Sequence, residues 1–233
     1  LFKRAALFGT AYAQDVIWHH QNPTTCAGAK FLMFVHGTWG EGFGMGMNLF
    51  YVGRALGLAM NAGRILVLAE RSGDPTFVWY ARTHCKGTRS WECWFQPVSN
   101  CMPWGDVETI TPEEIRRLAW SGNVSRANRY SKVIPRAFWE LLQCSPIKVG
   151  MWGYWWKAQS VTYIARFNAP TRKLLDALRG SHLRAQLGGS RAVRPAQFLP
   201  PGTIAMFVRH GDKALEMDLV PFREYLQAAE RLV

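Results

Sequence analysis

Near the C-terminus, Arg209-His210-Gly211-Asp212-Lys213 is followed three residues later by Glu216. Two fixed cations and an imidazole this close together can hold an anion with several oxygens. A carboxylate beside them can take or give a proton. The run before them, Ile204-Ala205-Met206-Phe207-Val208, is apolar and of strand type, and Pro221 opens a helix expected over residues 221–232. Ligands gather at the C-terminal ends of strands in α/β proteins, so this cluster is a candidate anion site with an acid or base at its side. The plain alternative is a strand ending in a solvated polar turn. The density of charge and the single Gly favour a site.

A second candidate lies earlier. The apolar run Phe31-Leu32-Met33-Phe34-Val35 predicts a buried strand. It leads into His36-Gly37-Thr38-Trp39-Gly40-Glu41-Gly42-Phe43-Gly44-Met45-Gly46, with five glycines between positions 37 and 46. Residues 48–61 are apolar at helical spacing, and Ile65-Leu66-Val67-Leu68 predicts a second strand. The pattern is a β–loop–α–β unit whose Gly-rich loop opens a helix, where backbone N–H groups and the helix dipole attract phosphate. Neither a Walker Lys-Ser/Thr nor a G-x-G-x-x-G is present, because Gly42, Gly44 and Gly46 alternate.

The remaining elements must position these two sites. Residues 5–17 form an amphipathic stretch. Residues 71–105, rich in Trp, Gly and Cys, read as an irregular excursion tied by disulfides. Thr111-Pro112-Glu113-Glu114 starts a helix over residues 112–120 with a capping box. Further helices are expected over 127–142, interrupted at Pro135, over 153–167 and over 170–179. The organisation expected is a Rossmann-like domain with helical elements over residues 1–180, a linker or mobile loop over 181–201, and the start of a second domain over 202–233.

Hydrophobic residues make up 48% of the 233, so a packed core is expected. The formal charge of +12 favours polyanionic partners. Long basic runs, zinc-finger spacings and RNP-type motifs are missing, so nucleic acid is not the expected partner. The adjacent His19 and His20 diverge on a helix or strand, and no metal site is expected from them. None of the five cysteines forms a C-x-x-C pair, and an odd number leaves at least one thiol unpaired within the chain. No apolar run reaches the roughly 18–20 residues that cross a bilayer. The chain begins at Leu1, which leaves room for a membrane anchor upstream.

Five groups of residues in order resemble the α-1,6-fucosyltransferases, which core-fucosylate N-glycans, and their relatives acting on chitin-type oligosaccharides. They are His20-Gln21-Asn22-Pro23 with Cys26 and Ala29-Lys30; Gly42-Phe43-Gly44; Trp91-Glu92 with Phe95, Pro97-Val98-Ser99 and Cys101; Trp155-Trp156 with Gln159; and Val208-Arg209 with Asp212-Lys213, Glu216, Pro221, Glu224 and Tyr225. The resemblance implies a GT-B-like α/β architecture of two Rossmann-like halves, with only the start of the second half present here. It implies GDP-fucose as donor, a GlcNAc-containing glycan as acceptor, inversion without an essential metal, no further cofactor, and a Golgi or secretory location.

By the same resemblance, Arg209 neutralises the donor β-phosphate. Glu216 is the catalytic carboxylate if one residue is deleted between it and Lys213. Lys213 tunes or relays to Glu216, and Asp212 orients the loop. Gly42, Phe43 and Gly44 let the backbone approach the nucleotide, and Cys26 pairs with Cys101. Two departures stand out: Phe207 replaces a usual donor-contacting His, and His210 replaces a common second Arg at the donor site. His is mostly neutral near pH 7, which makes this site less cationic than the family pattern. A non-catalytic nucleotide- or glycan-binding relative is the alternative reading, and a basic nucleic-acid binder the weaker one.

Overall fold

A computed structural model describes residues 8–35, 45–69, 84–85, 91–120, 132–186 and 221–230. Its chain divides into two compact units, Leu1–Leu174 and Leu175–Val233. The fold is mixed α/β around one small parallel sheet.

Strands β1 (Phe31–Phe34), β2 (Ile65–Leu68) and β3 (Val107–Ile110) pair in the order β2-β1-β3. Phe31 stands opposite Ile65 and Val107, and Phe34 opposite Leu68 and Ile110. Helix α2 (Met45–Asn61) connects β1 to β2, giving the β–loop–α–β unit expected from the sequence. Gly63 ends that helix in a left-handed conformation (φ 64°), which lets the Arg64 N–H reach the Ala59 carbonyl at 2.9 Å just before β2 begins.

Alternation along the strands sends side chains to two faces. Leu32, Phe34, Leu66 and Ile110 enter the main core. There they join residues of α1 (Thr10–Gln21), α2, α3 (Pro112–Trp120), α4 (Trp139–Gln143) and α5 (Trp152–Ile164). Phe31, Ile65 and Val67 form a smaller cluster on the other face, with Cys101 buried among them. The expected capping box of α3 is made: Thr111 Oγ1 accepts the Glu114 N–H at 3.3 Å, and the Glu114 carboxylate accepts the Thr111 N–H at 2.8 Å.

Close packing of α2 on α5 and on the turn at 132–135 needs two glycines. A Cβ on Gly53 would sit 2.5 Å from Ser160 Oγ, and one on Gly57 would overlap the Val133 carbonyl oxygen. With the backbones this near, the Trp156 indole N–H donates to the Gly53 carbonyl at 3.2 Å.

Four elements differ from the sequence expectation. Helix α1 starts at Thr10, because Gly9 before it is left-handed (φ 69°). Of the helix expected over 127–142 with an interruption at Pro135, residues 127–131 lie outside the described residues, 132–135 form a turn, and a 3-10 turn at Arg136–Phe138 and then α4 follow. Pro135 is extended (φ −58°, ψ 134°), and Asn61 takes the Lys132 and Ile134 carbonyls on its amide, so a helix cannot continue through them. Helix α6 (Ala169–Gln186) runs past the expected end at Arg179. Strand β3 was not expected at all, since Glu108 and Thr109 interrupt its apolar pattern.

In the second unit, the described residues are the C-terminal part of α6 and helix α7 (Phe222–Glu230). The latter lies inside the helix expected over 221–232.

Candidate functional site

In an open α/β sheet the ligand crevice forms at the C-terminal strand ends, where successive connections leave for opposite sides. In the order β2-β1-β3 the chain leaves β1 towards β2 and returns to pair β3 on the other side of β1. The switch point is therefore at the ends of β1 and β3, where the Val35 N–H donates to the Ile110 carbonyl at 2.9 Å. Residues 36–44 connect this point to the start of α2 at Met45. Gly42, Phe43 and Gly44 fall in that connection, outside the described residues. Arg209, His210, Asp212, Lys213 and Glu216 also lie outside the described residues.

What is described is the wall beside this end of the sheet. A cleft of about 680 Å³ lies over the ends of β1 and β2. Met33, Val67 and Ala69 line it from the strands, Trp91 and Glu92 from the following segment, and Ser99 and Met102 from the loop beyond. Its size suits a small-molecule ligand. Glu92 is the one ionisable side chain among the described lining residues, and no cation is among them.

The wall is fixed by residues from two separated stretches. Gln21 is fully buried. Its amide N–H groups donate to the Leu66 carbonyl at 3.0 Å and the Val98 carbonyl at 3.1 Å, and its Oε1 accepts the Leu66 N–H at 3.0 Å. One side chain thus pairs with the free edge of β2 as another strand would. Asn22 accepts the Asn100 N–H at 3.0 Å and donates to the Tyr163 hydroxyl at 2.9 Å. That hydroxyl donates in turn to the Val98 carbonyl at 3.0 Å. Burial pushes the Tyr163 phenol above its ordinary value, which keeps it a donor. Ser99 Oγ donates to the Gln21 carbonyl at 2.6 Å and accepts the Cys101 N–H at 3.0 Å. The Cys26–Cys101 disulfide closes the same junction, as the resemblance implied.

Cys85 and Cys93 form a second disulfide, and Cys144 is free and exposed. Disulfides of this kind belong to oxidising compartments and fit a secreted or lumenal protein. Among the described residues, no helix is long and apolar enough to cross a membrane.

The two histidines diverge as the helix geometry requires. His19 faces solvent 3.4 Å from Asp15, while His20 turns inward and donates from Nε2 to the Arg64 carbonyl at 2.9 Å. Burial holds the His20 pKa below its ordinary value, although the backbone hydrogen bond opposes this. No group of three or more potential metal ligands occurs among the described residues.

Sequence reasoning did not single out the Gln21 amide as a strand mimic or Tyr163 as a buried donor. A lone Gln at the end of an amphipathic helix gives no signal of its own. Its role depends on β2 being the sheet edge, which the sequence does not state.

The chain matches no family model, and no curated protein matches it.

Proposed function

We propose that this chain belongs to an inverting, GDP-fucose-dependent glycosyltransferase of GT-B-like architecture, and that it carries the acceptor-side half and the start of the donor-binding half. The observation that supports this best is spatial. Two separated residue groups that carry the resemblance meet in one junction, and the helix that bears a third joins them through a neighbouring residue. Gln21 and Asn22 bond to the segment containing Val98, Ser99 and Asn100, Cys26 is bridged to Cys101, and Tyr163 of the helix bearing Trp155-Trp156 bonds to both. Residues far apart in sequence that resemble one family at several points are expected to meet if they share its fold.

In this reading the Gly42–Gly44 loop approaches the nucleotide at the switch point. The Arg209 guanidinium neutralises the β-phosphate as the sugar–phosphate bond breaks and charge develops on GDP. Glu216 takes the proton from the acceptor hydroxyl as its oxygen attacks the anomeric carbon from the opposite face, which inverts the configuration. Lys213 adjusts the basicity of Glu216, Asp212 orients the loop, and His210 adds a weaker donor contact. No metal enters these steps. The acceptor glycan falls on the cleft side of the sheet, where no cation competes for phosphate among the described lining residues. The location is the secretory lumen, the Golgi by resemblance.

Calorimetry with GDP and a transfer assay with GDP-fucose and a chitin-type oligosaccharide test this reading. Arg209→Ala should lose GDP binding, and Glu216→Gln should keep GDP binding while losing transfer. Phe207 and His210 depart from the family pattern and favour a second reading, a non-catalytic nucleotide- or glycan-binding relative. It predicts Arg209-dependent GDP binding with no transfer by the parent. A steep salt dependence with no preference for GDP would point instead to nucleic acid.

A further inference from the structure

Helix α5 begins in an exposed apolar turn. Val149, Met151 and Tyr154 are 47%, 50% and 63% exposed. On the adjoining helix α1 and the residues that lead into it, Phe8 and Tyr12 are 37% and 52% exposed. The two groups are tied together, because the Trp155 indole N–H donates to the Phe8 carbonyl at 2.7 Å. The turn is also preformed. The Met151 N–H donates to the Lys148 carbonyl at 2.7 Å, and the half-buried Trp152 indole donates to the Ile147 carbonyl at 3.1 Å. Presenting its side chains therefore costs little further ordering.

Along the sequence, the charges on either side of the turn are positive as far as Glu140 and Asp176. From Leu141 to Leu175 the sequence contains no Asp or Glu, yet it carries Lys148, Lys157, Arg166, Arg172 and Lys173. Lys148 and Lys157, both exposed, bracket the turn. The Lys157 ammonium lies 5.2 Å from the Phe50 ring, and the Arg54 guanidinium lies 4.0 Å from the same ring. The one acid on α1 is Asp15, which faces His19 at 3.4 Å.

We propose that this turn is a membrane-surface contact, with Val149, Met151 and Tyr154 entering the interface of an anionic bilayer and Lys148 and Lys157 lying at its headgroups. Aromatic and apolar side chains flanked by lysines suit that boundary, where one end of each group is dry and the other wet. The two flanking lysines favour an anionic lipid surface over a typical protein partner, whose binding face would need an acidic rim to match. The proposal is independent of the transferase reading.

Co-sedimentation of the full chain with vesicles of phosphatidylcholine, alone or with phosphatidylserine, tests it. Both residues of the variant Met151→Ser with Tyr154→Ser are exposed, and it keeps the parent's net charge and should keep its melting temperature. Partition of the parent onto phosphatidylserine vesicles should exceed that of this variant by at least tenfold, and Lys148→Glu should weaken it further as salt is lowered. Equal partition of parent and double variant would show charge attraction alone and overturn the proposal. It would also be overturned by a parent that ignores both vesicles, including one that equilibrium sedimentation shows to pair through this turn.

Discussion

The two ends of the parallel sheet are built by different chemistry. At the N-terminal end the residue before each strand is charged. The Arg64 guanidinium reaches across β1, donating to the Phe31 carbonyl at 3.2 Å and to Asp106 at 2.8 Å, and it pairs also with Glu108. Lys30 lies 3.8 Å from the other Asp106 oxygen. The Arg64 hydrogen bond, with help from its charge and from Lys30, holds the Asp106 carboxyl below the usual range, and Asp106 raises the Arg64 guanidinium in turn. Among the described residues, each of these four charges has a partner at this end. At the C-terminal end the strands stop at Phe34, Leu68 and Ile110 beside a cleft walled by a disulfide and buried amides. Ionic pairing closes the first end, whereas neutral hydrogen bonds hold the second in shape without filling it. A ligand site needs the second kind of construction, because its walls must be rigid while its own charges stay available.

The largest effect should come from breaking the cleft wall. Cys26→Ser with Cys101→Ser removes a bridge that spans 75 residues. Chain entropy puts its contribution at about 4 kcal/mol. Urea denaturation should show that loss, and a loss below about 1 kcal/mol would mean the hydrogen bonds hold the wall unaided. Gly57→Ala comes next. Its Cβ would meet the backbone at Val133, so α2 must shift away from the turn at 132–135, at about 3 kcal/mol. Thermal melting measures it, and an unchanged melting temperature would mean that α2 seats with room to spare.

Gln21→Met keeps the volume but leaves the Leu66 N–H and carbonyl without their partner, and should cost about 2 kcal/mol. Amide exchange at Leu66 should quicken in step. Arg64→Ala should be milder, since Asp106 and Glu108 are about half exposed and return to water. Its effect should also depend on pH. Asp106 has a depressed pKa in the folded protein, so its contribution is full above the unfolded value of about 3.9 and fades as pH falls below that. The gap between parent and Arg64→Ala denaturation midpoints should therefore narrow in acid. A constant gap would assign the effect to packing rather than charge.

Much of this frame was legible in the sequence because it follows from local rules. Apolar runs of the right length gave β1 and β2, helical spacing with a terminal Gly gave α2, and the Thr111–Glu114 box gave α3. What was not legible depends on neighbours. Strand β3 is an edge strand whose Glu108 serves Arg64, so its polarity hid it. The Gln21 amide has meaning only against β2, and the stop before α4 comes from Asn61 on another helix. For the site, the resemblance supplied the Cys26–Cys101 pair, which the structure contains. The clamp of Arg209, His210, Asp212, Lys213 and Glu216 and the Gly42-Phe43-Gly44 loop lie outside the described residues and stand on the sequence.

The contrast between the two ends sets up the most direct measurement: GDP titration into Arg209→Ala and Arg64→Ala, side by side with the parent. If Arg209 clamps the nucleotide and Arg64 only staples the sheet, the first variant loses GDP binding and the second binds it as the parent does. GDP binding by Arg209→Ala equal to the parent's would contradict the account.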